Sequence, residues 1–219
     1  MHRLIVTLLE QIMVKSSFYY VHDPMCSLCW AHRPQWAQFE QALNELDLTV
    51  EYVVGGLAPD SDVPMPEAQK ATLSGYWKKI EGMLGTQFNY DFWTKTTPRR
   101  STYPACRAVI AATWQDAEVE MITALQKAYY LRALNPSDQS THQLLAQELN
   151  LNVDKFMADL NSPELEQAFI EQLEFAHSLP IQGFPSMVLQ HNNQLHSIVL
   201  DYKDYRGALA QVNEILAQN

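Results

Sequence analysis

Cys26 and Cys29 stand in "DPMCSLCW", residues 23–30, with Ser27 and Leu28 between them. That spacing serves a redox dithiol, half of a zinc site or a structural disulfide. A zinc site needs two more ligands. The chain offers Cys106 and seven histidines, but no second paired motif, and His22 and His32 flank the pair without a ligand-like companion. No metal is therefore expected. A disulfide framework suits an even count of cysteines in an oxidising compartment, whereas this chain has three cysteines.

The redox reading makes a structural demand. Cys26 must lie where a strand has ended and a helix begins. Unpaired N–H groups and the helix dipole stabilise a thiolate there. Cys29, one turn on, then shares a face with Cys26 and resolves the mixed disulfide that Cys26 forms. Cys29 is expected to be the more buried of the two.

The surrounding sequence supplies such a setting. "SFYYV", 17–21, reads as a strand, and "HDPMC" breaks it. Apolar residues then recur at helical intervals from Cys26 to about Leu46, with Asp47 ending the helix. "LTVEYVVGGL", 48–57, is a second strand closing on two glycines. The opening is thus β-α-β, the unit that makes a parallel strand pair. After a proline-rich loop, helical patterns follow at about 67–84, 103–116, 118–134, 138–149, 152–160 and 163–178. Ser137 or Asp138 caps one helix, and Ser162 with Pro163 starts another. "SMVLQ" and "LHSIVL" flank "HNNQ" as a hairpin, and a last amphipathic helix carries Leu209, Val212, Ile215 and Leu216. The two outer parts make a four-stranded thioredoxin fold of the α/β class. The middle is too long for a crossover and reads as an inserted all-helical subdomain. The expected division is 17–60 with 180–217, an insertion at 61–179, and an N-terminal extension at 1–16. The position of the pair between strand and helix favours the redox reading over the other two, which stay open.

"GFPSM", 183–187, is the second feature. A proline entering a strand is awkward for ladder bonding. A cis Phe184–Pro185 bond would turn the chain sharply and expose the preceding backbone; the plainer alternative is a trans proline opening the strand.

"DPMCSLCW" and "GFPSMVL" together resemble the DsbA-like family of thioredoxin-fold oxidoreductases, and more narrowly its FrnE-related cytoplasmic branch. Pro34, five residues after Cys29, and "STYPACRAVIAA", 101–112, are similar to family segments too. The resemblance spans about 17–217. It implies a protein disulfide oxidoreductase or isomerase with Cys26 as nucleophile, Cys29 as resolving thiol and Pro185 as the cis-proline. Phe184 would offer its backbone to an extended substrate, as an added strand does, with Ser27 and Leu28 beside it. The implied partners are a disulfide-containing protein or small thiol, and a thiol reductant or oxidant for recycling. No bound cofactor is implied, with glutathione a co-substrate to consider. The Ser-Leu dipeptide departs from the best-known members. It lacks the interposed histidine that makes such disulfides strongly oxidising, so the direction of the reaction stays open.

Other residues carry double readings. His22 and Asp23 tune the thiols or shuttle protons, or they merely shape the turn; a carboxylate beside a thiol raises its pKa. Cys106 reads as a core residue rather than a second nucleophile. Tyr76, Trp77, Phe88, Tyr90, Phe92 and Trp93 line a substrate groove or fill the helical core. Arg99, Arg100 and Arg107 hold a glutathione carboxylate, or serve as caps and solvated positions. The runner-up function is a glutathione-dependent transferase or isomerase of the kappa-class or 2-hydroxychromene-2-carboxylate type. Those usually carry serine where Cys26 stands. A non-catalytic peptide-binding module is the third.

Composition narrows the field. Of 219 residues 47% are hydrophobic, enough for a sizeable core, and the net charge of -10 argues against a nucleic-acid partner. No apolar run reaches the roughly 18 residues of a membrane span. In "MHRLIVTLLEQIMVKSS" the apolar run is short and broken by Glu10 and Gln11. A cleaved signal is therefore not expected, a cytoplasmic location is, and Met13 is an alternative start.

Overall fold

The computed structural model describes residues 16–218. The N-terminal readings, including the signal-peptide test and the Met13 start, lie outside the described residues. The order of elements is β1 (Ser17–His22), α1 (Ser27–Asn44), β2 (Val50–Val54), α2 (Glu67–Leu84), α3 (Phe92–Lys95), α4 (Tyr103–Thr113), α5 (Glu118–Arg132), α6 (Gln139–Glu148), α7 (Val153–Leu160), α8 (Pro163–Ser178), β3 (Ser186–His191), β4 (Gln194–Ile198) and α9 (Arg206–Leu216). This is a thioredoxin fold with a helical insertion. No described helix is long and apolar enough to cross a membrane.

The sheet runs β2-β1-β3-β4, with β1 and β2 parallel and the other two pairs antiparallel. Its register builds the site. Val21 of β1 pairs with Ser186 of β3. The exit of β1, which leads to Cys26, therefore adjoins the entry of β3, which follows Pro185. The Asn192–Asn193 turn joins β3 to β4 with both residues at positive φ, as the hairpin signal demands.

Alternation along β1 divides the core. Phe18 and Tyr20 face α1 and α9, among Trp36, Phe39, Leu43, Leu189 and Val212. Tyr19 and Val21 face α8, among Val53, Ala176, Leu179 and Val188. A third cluster fills the helical block and also takes in Met25, Ala31 and Val54. The start of α1 is thus shared by both cores. We propose the division into 17–60 with 180–217 and an inserted 61–179; a core cluster drawn mostly from the helical block supports it.

Several predicted boundaries shift inward for one reason. α1 ends at Asn44 rather than near Leu46 because Asp47 adopts a left-handed conformation (φ 55°). The N–H of Leu48 then reaches back to the carbonyl of Leu43 at 3.1 Å, and both leucines are buried. Asp116, Ala133 and Asn150 end α4, α5 and α6 in the same way. Asp138 rather than Ser137 caps α6, without a side-chain cap bond, while Ser162 caps α8 through the N–H of Leu165. The short α3 was not anticipated. It is a single turn that buries only Phe92, too brief to show a helical period.

Candidate active site

Cys26 is the N-cap of α1, and its sulfur accepts the N–H of Cys29 at 3.4 Å. The turn holding it there is specified locally. Asp23 Oδ1 accepts the N–H of Met25 at 2.7 Å, and the Asp23 carbonyl accepts the N–H of Cys26. These are the Asx-type bonds that stop a strand and start a helix. Both cysteines are free thiols. Cys26 is 6% exposed and Cys29 1%, in the expected order. Burial pushes the Cys29 thiol well up, and the neighbouring Cys26 adds to the effect.

From the other side, the Phe184–Pro185 bond is cis. The Phe184 carbonyl accepts the Cys26 thiol at 3.3 Å. Ser27 and Leu28 form the first turn of α1 and open onto a groove of about 410 Å³ lined also by Tyr76, Lys79, Met83 and Tyr202. Of the aromatics read as groove or core, Tyr76 stands at this groove. Trp77, Phe88 and Phe92 are buried core, and Tyr90 and Trp93 pack half-buried against it.

His22 and Asp23 are both fully buried. The ring of His22 stacks on Tyr20 and stands edge-on to Tyr52, and neither ring nitrogen has a partner among the described residues. Burial, reinforced by the charge of Arg33, drives its pKa down to about 3, so it stays neutral. Asp23 is the busier group. Its Oδ2 accepts the N–H of Leu57 at 2.7 Å, the hydroxyl of Thr102 at 2.6 Å and the thiol of Cys106 at 3.7 Å. One carboxylate thereby ties the cysteine turn to the loop after β2 and to the start of α4. Burial raises its pKa, and the four donated bonds oppose that.

Two members of the arginine cluster are engaged within the protein. Arg107 is held by Asp60 and Glu166, each in two bonds, and Arg99 by Asp138 and the Ser137 carbonyl. Arg107 thereby joins α4 to α8 and to the loop after β2, and Arg99 joins the loop before α4 to the cap of α6, while Arg100 is exposed. His32 is also no ligand. It is buried beneath Tyr20, 3.3 Å from its hydroxyl, and burial lowers its pKa to about 4. Among the described residues no three potential metal ligands gather.

Thr102, Leu57 and Gly55 escaped the sequence reading. "STYPA" offered a signal for Thr102, since a threonine two residues before a proline marks a helix start. Nothing local pointed to Leu57, whose contribution is a backbone N–H.

The thioredoxin family model matches residues 18–207. Among curated proteins, the ClpXP adapter protein SpxH of Bacillus cereus is 25% identical over 183 residues, covering 80% of this chain. The chain spans 59% of that relative's length. Among solved structures, a Nitrosomonas europaea protein described provisionally as a disulfide isomerase has a TM-score of 0.81 at 23% identity, covering 94% of this chain and 99% of the other. The cytosolic disulfide reductase DsbM of Pseudomonas aeruginosa has a TM-score of 0.72 at 24% identity, covering 92% and 100%. A second DsbM structure that matches contains glutathione.

Proposed function

The chain belongs to the thioredoxin family, and on that premise we propose that it is a DsbA-like thiol–disulfide oxidoreductase acting through Cys26 and Cys29. The observation that carries the reading is the N-cap placement of Cys26, facing Cys29 on one side and the Phe184 carbonyl on the other.

In the reducing direction the Cys26 thiolate attacks one sulfur of a substrate disulfide. A Cys26–substrate bond forms, the substrate S–S bond breaks, and the departing thiolate takes up a proton. Cys29 then loses its proton and attacks the Cys26 sulfur. The Cys26–Cys29 disulfide forms and the second substrate thiolate leaves, so two electrons pass from protein to substrate. Two equivalents of an external thiol such as glutathione restore the dithiol. The buried Cys29 holds its proton until the mixed disulfide brings a sulfur against it. The substrate chain lies along the backbone at Phe184, beside Ser27 and Leu28. Pro185 leaves that backbone open because a proline donates no N–H.

Two observations favour reduction over strong oxidation. No charged side chain bonds to the Cys26 sulfur among the described residues, and Ser-Leu supplies no imidazole. The likeness to DsbM, a cytosolic disulfide reductase also solved with glutathione, supports the same direction. It supports a cytoplasmic location as well.

The test is thiol-dependent reduction of insulin, and refolding of a scrambled disulfide protein, by wild type and Cys26→Ser. Turnover by wild type alone is expected. Inactivity of the wild type in both assays, or equal activity of the mutant, overturns the reading. Titration against glutathione then sets the direction. A midpoint near the roughly -270 mV of thioredoxin marks a reductase, and one near about -120 mV an oxidant.

The SpxH relative favours a second reading, a module that grips a protein partner without redox turnover. It requires that Cys26→Ser leave partner binding intact.

A further inference from the structure

Gly55 follows β2, and two facts about it are informative. Its backbone is not in the left-handed region, unlike that of Gly56 (φ +63°). Any residue could therefore adopt its conformation, and glycine is required there for space alone. That space is already filled. A Cβ on Gly55 would lie 2.0 Å from Cε1 and 2.2 Å from Cζ of Phe184. Carbon atoms rest about 3.5–4.0 Å apart, so the ring of Phe184 is seated on the bare Cα of Gly55.

The seat matters because of what Phe184 does with its backbone. Its carbonyl accepts the Cys26 thiol, and Pro185 follows it. Gln182 and Gly183, just before it, are exposed. The half-buried ring packs on the cluster of Tyr19, Val21, Val53 and Val188, as Ile181 does three residues earlier, and is the apolar anchor next to the Cys26-facing carbonyl. The other side of the contact is stiffer. The Gly55 N–H is bonded to the His22 carbonyl at 2.8 Å, and the preceding Val54 N–H to the Gln172 side chain at 3.0 Å. A new Cβ would therefore move the ring rather than the strand.

We propose that Gly55 is a positioning residue for substrate binding: its missing side chain seats the Phe184 ring and so holds the Phe184 backbone against Cys26. The inference rests on the oxidoreductase reading for its functional consequence and on the packing alone for its physical one. Gly55→Ala evicts the ring and frees the segment that receives the substrate chain.

The experiment is a double-mutant cycle with Gly55→Ala, Phe184→Ala and the double variant. It is read by steady-state kinetics on a peptide disulfide and by urea denaturation. Gly82→Ala, which meets nothing within 4 Å, is the control. Gly55→Ala is expected to raise KM about tenfold, with kcat within about threefold, because the loss falls on binding shared by ground and transition states. In the Phe184→Ala background the same substitution should change neither KM nor the urea midpoint, since nothing is left to evict. Equal costs of Gly55→Ala in both backgrounds would overturn the proposal, as would unchanged KM in the single variant despite measurable wild-type turnover. If wild type fails to turn over the peptide, the oxidoreductase reading fails instead. The urea cycle still decides the contact: coupling supports the Gly55–Phe184 seat, and additivity overturns it.

Discussion

Cys26 and Cys106 are both buried thiols near the start of a helix, yet they meet opposite surroundings. Cys26 is the cap of α1, turned toward the Cys29 N–H on one side and the Phe184 carbonyl on the other. Cys106 lies inside α4, fully buried, with its thiol on the Asp23 carboxylate. Burial raises the Cys106 pKa well above the ordinary range, and the charge of Asp23 raises it further. Closeness to a helix start is thus not enough for reactivity: Cys106 is sealed from solvent and lies against an anion, whereas Cys26 stands at the helix cap. Asp23 serves both regions. It bonds the turn that positions Cys26 and keeps Cys106 protonated.

The largest expected effect concerns reactivity. In the native reduced protein at pH 7.5, iodoacetamide should alkylate Cys26 at least about 100-fold faster than Cys106, which needs local opening to react. Peptide mapping of the labelled protein checks this. Comparable rates would dissolve the distinction between the two thiols.

Asp23→Asn comes next. The amide puts an NH2 in place of one carboxylate oxygen, either Oδ2, where it meets three donors, or Oδ1, where it meets one. A loss of about 3 kcal/mol in urea denaturation is expected, from breaking a buried charged network. Thr102→Val removes one donor to Asp23 and the acceptor of the Ala58 N–H, and should cost about 1–2 kcal/mol. If Asp23→Asn costs no more than Thr102→Val, Asp23 is not the shared hub.

Acid should weaken the fold. His22, His32 and His142 are buried, with pKa values lowered to about 3, 4 and 4. In the unfolded chain a histidine titrates near about 6.5. Below that pH the unfolded state binds more protons. The stability from these neutral rings is therefore complete above pH 6.5 and is lost as pH falls through 6.5 toward 4 and 3. Asp23 and Glu118, whose pKa values burial raises in the fold, work in the opposite sense, as two groups against three. Urea midpoints should fall between pH 7.5 and 4.5. His22→Phe should flatten that fall and leave the neutral-pH midpoint no lower, because both His22 nitrogens are unpartnered. An unchanged slope would clear His22 of the role.

Cys106→Ser should be the mildest change. It keeps a donor for Asp23, and turnover should stay within about twofold with a stability cost near 1 kcal/mol. A collapse of activity would make Cys106 part of the chemistry.

Much of this was legible in the chain, for identifiable reasons. The period-2 and period-3.6 patterns located the four strands and the long helices, and α2 and α8 have the predicted bounds. Asn192–Asn193 marked the hairpin through the positive φ that asparagine tolerates. Arg99, Arg100 and Arg107 read equally as an anion site or as caps and solvated positions, because Asp60, Asp138 and Glu166, the partners of Arg99 and Arg107, are distant in sequence. Aromatic spacing does not say which face is covered, so groove and core both stood open for Trp77, Phe88 and Phe92, with core the safer reading, and they are core.

The sequence by itself determined the local geometry of the site: the strand, the Asx-stopped turn at Asp23 and the helix that begins at Cys26. Those depend on bonds between residues a few positions apart. Only the tertiary structure decided what faces the thiols. The antiparallel register of β1 and β3 carries Phe184 to Cys26, and Gly55 makes room for its ring. Asp23 finds Thr102 and Cys106 some eighty positions away. Such contacts arise from the packing of whole elements, and no short stretch of sequence encodes the partner that packing will bring.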